Sequence, residues 1–319
     1  MKRRTILTSP PLLLAPFLGA CGADPVPVIG VVPKGSSSSF WQPVHAGAVS
    51  AGKDLGAEIV WEAPAEETDI NRQIEIVRGL IERRVDGIVL APSDRASLAP
   101  VVEQAAAAGM PLAIFDSGIA TERYLSYVAT DNRAAGELAA ETVAGLLEGK
   151  GQIGMVRHMP GSESTEARET GFAEALAERF PGMRIAASAY CMSFRAQALA
   201  VAKQMLKARP AIRALFGSSE AATLGAMRGI QASGRDGKVA LVGFDAAFGL
   251  LQGLRDGHVD ALVVQDPFYI GYAAVKAVVQ QLSGVRPPRA VQSPARLVTA
   301  RNLDDPETQK LVDPPGAFR

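Results

Sequence analysis

The feature that most constrains the fold of this chain is an alternation of short apolar runs with longer amphipathic stretches, sustained from residue 27 to residue 282. The runs at 27–32, 57–61, 87–90 and 112–115 read as strands. The stretches between them, 40–56, 70–84 and 98–108, place apolar residues at helical spacing. Val44, Ala48, Ala51 and Leu55 share one face of the first, and Ile70, Ile74, Val77 and Ile81 share one face of the second. Gly56 and Gly109 follow as helix stops. The run Gly87-Ile88-Val89-Leu90 has no polar alternation, as a strand covered on both faces of a parallel sheet requires. The rhythm continues with helices at 133–147, 165–180, 196–208, 221–233, 248–256 and 269–282. Strands at 152–157, 184–187, 214–217, 239–244 and 261–264 separate them. Such units imply right-handed crossovers and parallel sheets. They are too many for one comfortable sheet, so the expected architecture is α/β with two doubly wound parallel-sheet lobes. A chain of 319 residues has the length for both.

The N-terminus is of a different kind. Lys2, Arg3 and Arg4 precede an apolar run from Pro11 to Leu18, which ends in Leu18-Gly19-Ala20-Cys21. This is the layout of a secretory signal, and its end looks like a bacterial lipobox. On that reading residues 1–20 are a signal peptide, and Cys21 carries a diacylglycerol. Residues 21–26 are then a lipidated linker, and the protein works outside the cytoplasm, tethered to a membrane. The alternative is a plain signal peptide with an incidental cysteine. Arg3-Arg4 faintly resembles a twin-arginine export signal, although paired basic residues are ordinary in such leaders. The run is too short for a transmembrane helix, which needs about 20 apolar residues.

Charge and cysteine content narrow the function classes. Lys+Arg and Asp+Glu each total 33, so without the basic leader the chain is mildly acidic and has no basic stripe for nucleic acid. Cys191 is the one cysteine after Cys21, which reads as a structural thiol with no intramolecular disulfide to form. His45, His158 and His258 are dispersed and read as helix-face or loop residues; they support no zinc site. Neither a metal nor a cofactor is expected.

In an open α/β sheet the ligand lies beyond the carboxyl ends of the strands. There the chain places Lys34, Ser36 to Ser39, Phe40 and Trp41 after the first strand. Asp116-Ser117, Ser218-Ser219-Glu220, Asp245 and Gln265-Asp266 follow later strands. Lys34 borders this cleft and is expected to be solvated. Carboxylates, hydroxyls, an amide and two aromatic faces suit a neutral polyol: carboxylates accept hydroxyl protons strongly, and rings cover the C–H face of a sugar.

At these residues the chain resembles the ribose-binding-protein-like branch of the type I periplasmic binding proteins. The landmarks are Phe40-Trp41, Val44-His45-Ala46-Gly47-Ala48, Val85-Asp86-Gly87-Ile88-Val89, Ile114-Phe115-Asp116 and Ala129-Thr130-Asp131-Asn132. Arg168-Glu169-Thr170-Gly171-Phe172, Leu224-Gly225-Ala226, Val242-Gly243-Phe244-Asp245 and Val263-Val264-Gln265 complete them. The specificity lies in their order and spacing. The resemblance covers the chain from Val28 to about Thr299 and implies two lobes joined by three hinge crossings. It places residues 27–130 with 266–291 in an N-terminal lobe and 131–265 with 292–305 in a C-terminal lobe, and 306–319 are left as a surface tail.

The resemblance further implies that Phe40 and Trp41 sandwich a sugar, that Asp116 and Asp245 take its hydroxyl hydrogen bonds, and that Arg168 and Gln265 complete the set. Ser117 stands where the family often has arginine, and Ser38 and Ser219 where it commonly has asparagine. Glu220 either binds or caps the next helix. A second-lobe aromatic has no certain counterpart, with Tyr190, Ser193 and Phe194 nearby. These departures point away from simple ribose specificity. The function implied is a monomeric, lipid-anchored receptor, not an enzyme, that encloses a sugar or related polyol by hinge closure and delivers it to an ABC permease. Delivery to a membrane sensor kinase is a variant. An extracytoplasmic carbohydrate hydrolase built on Asp116, Glu220 and Asp245 is a second class, although the chain carries no Gly-x-Ser-x-Gly or His-Glu-x-x-His motif. A sugar-responsive transcription regulator is a third, and it lacks room for an N-terminal helix-turn-helix.

Overall fold

The computed structural model describes residues 25–313. The expected signal peptide, the expected lipidation site Cys21 and most of the expected linker lie outside the described residues. The chain begins with β1 (Val28–Val32), α1 (Trp41–Leu55), β2 (Glu58–Trp61), α2 (Ile70–Glu82), β3 (Gly87–Leu90), α3 (Ala99–Ala107), β4 (Leu112–Phe115) and β5 (Tyr127–Thr130). A second series follows: α4 (Asn132–Leu146), β6 (Gly151–Arg157), α5 (Glu163–Arg179), β7 (Met183–Tyr190) and α6 (Arg195–Ala208). It continues through β8 (Ile212–Gly217), α7 (Glu220–Ala232), β9 (Ala240–Phe244), α8 (Phe248–Arg255) and β10 (Ala261–Gln265). The chain closes with α9 (Pro267–Leu282), β11 (Ala290–Ser293), β12 (Ala295–Val298) and α10 (Pro306–Val312).

These elements form two six-stranded sheets of matching order, β11-β5-β4-β3-β1-β2 and β12-β10-β9-β8-β6-β7. Each strand of the first has a counterpart in the second: β1 matches β6, β4 matches β9 and β5 matches β10. All pairs are parallel except β10 with β12. Strands β3 and β4 are buried throughout, as their unbroken apolar sequences require. Helices α1 and α9 cover one face of the first sheet and α2 and α3 the other. Helices α4 and α5 cover one face of the second sheet, with α6, α7 and α8 opposite.

The chain crosses between lobes after Thr130, after Gln265 and between Ser293 and Ala295. The first two directly follow β5 and β10. The third comes after Ser293, two residues beyond the boundary expected after residue 291, because Gln292 and Ser293 still pair with Ala129 and Thr130. Strands β5, β11 and β12 escape a periodicity reading because their four residues mix polar with apolar side chains, unlike the unbroken apolar runs of β3 and β4. Strand β7 runs on to Tyr190 with a half-exposed pattern, since it is an edge strand. The tail is not simply superficial. Residues 306–312 form α10, whose Thr308 and Val312, with Leu303 before them, are buried against the second lobe. Thr308 and Val312 are one helical turn apart, so they form one buried stripe after the proline-bearing start.

Candidate functional site

The carboxyl ends of β1, β4, β8, β9 and β10 converge where the lobes meet. They enclose a cavity of about 40 Å³, walled chiefly by Phe40, Trp41, Asp116, Arg168, Asp245 and Gln265. That space holds a few waters at most, so a sugar enters only if the lobes part. Asp116 and Asp245 occupy equivalent positions, one residue beyond β4 and β9. Both are buried and both have left-handed backbone, φ 59° and 71°. Aspartate tolerates this region better than most residues, and strained conformations of this kind cluster at ligand sites. Neither is the N-cap of a helix that follows it.

Three ionic clusters join the lobes around the cavity. In the first, Lys34 Nζ lies 2.8 Å from Asp116 Oδ2 and donates to Ser164 Oγ at 2.9 Å and Ser162 Oγ at 3.2 Å across the cleft. Lys34 is 3% exposed, which corrects the expectation of a solvated side chain. In the second, Glu220 at the start of α7 accepts from the Ser38 and Ser39 hydroxyls at 3.0 and 2.6 Å and from the Phe40 N–H at 3.1 Å. Arg195 Nη2 pairs with it at 2.6 Å. Glu220 is therefore a bridge between lobes.

In the third cluster, Glu67 Oε2 faces His158 Nε2 at 3.1 Å, and Glu67 Oε1 accepts from Trp41 Nε1 at 2.8 Å. Ser193 Oγ donates to Glu67 from the second lobe at 3.2 Å, and His158 Nδ1 lies 3.2 Å from Ser219 Oγ. Burial alone would raise the Glu67 carboxyl. The hydrogen bond and charge of His158, the Lys34 charge and the Trp41 donor override it and hold the group at about 2.

Asp245 stands in the opposite electrostatic state. Burial pushes its carboxyl up to about 6 against the opposing pull of Arg168 and Gln265, with Glu220 and Asp116 adding repulsion. Its Oδ2 accepts the Glu220 N–H at 3.1 Å and its Oδ1 accepts from Gln265 Nε2 at 2.8 Å. Thr130 Oγ1 donates to Gln265 Oε1 at 3.0 Å, which ties together two of the three crossings. Arg168 donates to Asn132 Oδ1 at 2.8 Å and to the Ser218 carbonyl at 3.2 Å, with its guanidinium 4.3 Å from the Phe244 ring centre.

Nine of the ten ligand-site residues read from the sequence line this one cavity: Ser38, Phe40, Trp41, Asp116, Arg168, Ser219, Glu220, Asp245 and Gln265. Ser117 does not. Its hydroxyl accepts the Ser164 N–H at 3.0 Å and so serves the lobe contact. Phe40 and Trp41 meet edge to face with ring centres 5.0 Å apart, so they form one wall and no sugar ring fits between them. Neither of the two second-lobe aromatics nearby, Tyr190 and Phe194, reaches the cavity. Ser193 lines it, Phe194 is exposed, and the Tyr190 ring lies under Arg157. Sequence reading put Lys34 at the border of the cleft and Ser193 only nearby, and it missed Glu67, His158, Ser164 and Thr165. His158 carried the same signal as Lys34, a place just beyond a strand end.

This geometry defines a two-lobed binding protein with a buried polar cleft, and the comparisons with known proteins agree. The periplasmic binding protein domain profile matches residues 29–285, and the chain belongs to that family. It is similar to the D-ribose/D-allose-binding protein of Pseudomonas aeruginosa, 29% identical over 286 residues, covering 86% of this chain and 89% of the relative. It is also similar to the ribose import binding protein of Bacillus subtilis, 28% identical over 235 residues, covering 74% and 75%. Among solved structures, an ABC transporter solute binding protein from Agrobacterium vitis with bound D-fucose superposes with TM-score 0.86 at 32% identity, covering 89% of this chain and 99% of that one. A carbohydrate transporter solute binding protein from Agrobacterium radiobacter in complex with D-arabinose gives TM-score 0.88 at 30% identity, covering 90% and 99%.

Proposed function

We propose that the protein is an extracytoplasmic receptor that captures one uncharged sugar or polyol between its lobes and presents it to an ABC importer. The observation that carries this reading is the pair Asp116 and Asp245, one from each lobe, at matching strand ends beside the Phe40–Trp41 wall. A ligand bridging both carboxylates favours the closed arrangement, and the hinge responds by population shift. Charge balance supports a neutral ligand. Asp116 pairs with Lys34, Glu67 with His158, and Glu220 with Arg195, while Asp245 feels Arg168. Among the lining cations Arg168 alone makes no ion pair, and a phosphate or carboxylate on the ligand would meet it against the carboxylates of Asp116, Glu220 and Asp245. The ligands of these relatives, D-ribose, D-allose, D-fucose and D-arabinose, are all neutral sugars. The protein works as a monomer held to a membrane through lipid on Cys21, and substitution Cys21→Ala releases it into the aqueous phase on detergent partitioning.

A thermal-shift screen of the chain from residue 22 against neutral pentoses, hexoses and polyols tests the reading. Ligand at 100 times its dissociation constant adds about 2.7 kcal/mol, a shift of several degrees. No shift with any neutral sugar overturns it.

The Asp245 carboxyl predicts a pH dependence. Its ionised form is the better acceptor for sugar hydroxyls. Affinity is therefore expected to fall as pH drops below about 6, and Asp245→Asn is expected to flatten the profile. The stability effect has the opposite sign. The folded carboxyl binds its proton more tightly than the unfolded one, so this group's contribution declines as pH rises from about 4 to about 6. Calorimetric titrations at several pH values, with melting curves alongside, check both.

A further inference from the structure

We propose that an apolar groove beside the cleft receives the aglycone of a glycoside whose sugar ring is held in the cleft. The proposal rests on the sugar-binding reading above and narrows its ligand class. The groove encloses about 710 Å³, far more than the cleft cavity. Phe40, Glu220, Asp245 and Gln265 line both spaces, so the partition is one residue thick. A group attached to the sugar through a glycosidic oxygen crosses it when the lobes close around the ring.

The groove's own chemistry selects an uncharged apolar occupant. Pro43 and Pro267 come from the first lobe, and Leu224, Leu251 and Val264 from the second. Its two arginines are already engaged, Arg195 with Glu220 and Arg255 with Asp304. Helix α8 makes the case most directly. Leu250 and Leu254 on one side are buried in the lobe core, while Phe248 and Leu251 on the other face the groove, and Phe248 is 82% exposed. Exposed large apolar surface beside a polar site marks a binding surface. Because both lobes supply walls, an aglycone seated here adds contacts that hold the lobes together.

Calorimetric titration of the protein with D-ribose, D-allose, D-fucose and D-arabinose, and with their methyl, hexyl and phenyl glycosides in both anomers, tests the proposal. Each buried methylene tightens binding about fourfold, so the hexyl or phenyl glycoside of the accepted sugar is expected to bind at least about tenfold tighter than the methyl glycoside. Leu251→Ser and Phe248→Ser are expected to erase that gain and leave the methyl glycoside unaffected. Equal affinities across the alkyl series, or a gain that survives both substitutions, overturn the proposal. So does a gain that appears only after removal of residues 314–319, which assigns the groove to the chain's own C-terminal residues. Failure of every sugar, free or glycosidic, sinks the sugar-binding reading and this proposal with it.

Discussion

Replacing either Asp116 or Asp245 by asparagine is expected to weaken sugar binding by about tenfold to a hundredfold, while the protein stays folded. Each carboxylate sits where a ligand spanning the lobes must place hydroxyls, and a hydrogen bond to a charged group contributes about 1.5–3 kcal/mol. Asparagine is the informative substitution because both positions have positive φ, 59° and 71°. Alanine there would add about 1–2 kcal/mol of backbone strain and confuse folding with binding. Titration calorimetry reads the affinity, and melting curves show that the fold survives. Near-native affinity in both variants would exclude the proposed cleft as the sugar site.

The second large effect is expected from Gly136→Ala on α4. Its new methyl carbon would lie 2.0 Å from the Arg168 carbonyl oxygen on α5, and the reciprocal Gly171 stands equally close to the Arg133 carbonyl at 2.2 Å. The two helices touch through bare backbone, so the substitution drives them apart. Overpacking of this severity costs about 3 kcal/mol or more, which lowers the melting midpoint of a protein of this size by about 5 °C or more. The displaced backbone carries Arg168 with it, so binding weakens as well. Gly145→Ala on the same helix meets nothing within 4 Å and is expected to be neutral or to stabilise by up to about 1 kcal/mol. Equal melting midpoints for the two variants would refute the close-approach argument.

Much of this architecture is legible in residue patterns, and the exceptions share a cause. Strands such as Gly87–Leu90 declare themselves because both faces are buried, and α1 declares its end at Gly56. Asp116, Asp245 and Gln265 are readable because strand ends are readable and ligands gather there. Glu67 is invisible: it lies in the loop between β2 and α2, and only lobe apposition brings His158 and Ser193 to it. Lys34 misleads for the same reason. Lysine is ordinarily exposed, and its three acceptors lie 82 to 130 residues away in sequence. The sequence places Phe40 and Trp41 beside the cleft but shows them as a sandwich, because the edge-to-face contact that makes them a single wall depends on Phe115 packing behind Trp41.

The three crossings also dictate an order of assembly. The N-terminal lobe lacks its covering helix α9 and its edge strand β11 until the residues through 293 have been made. By then the contiguous segment 131–265, which supplies five of the six strands of the other sheet, has already been synthesised. Domains that are continuous in sequence can fold as they emerge from the ribosome, but here the lobe begun first is finished after most of the second exists. During synthesis the face of β3 and β4 that α9 later covers therefore waits with α1 alone on its side of the sheet. A chain stalled before α9 should need chaperone protection more than one stalled after β11.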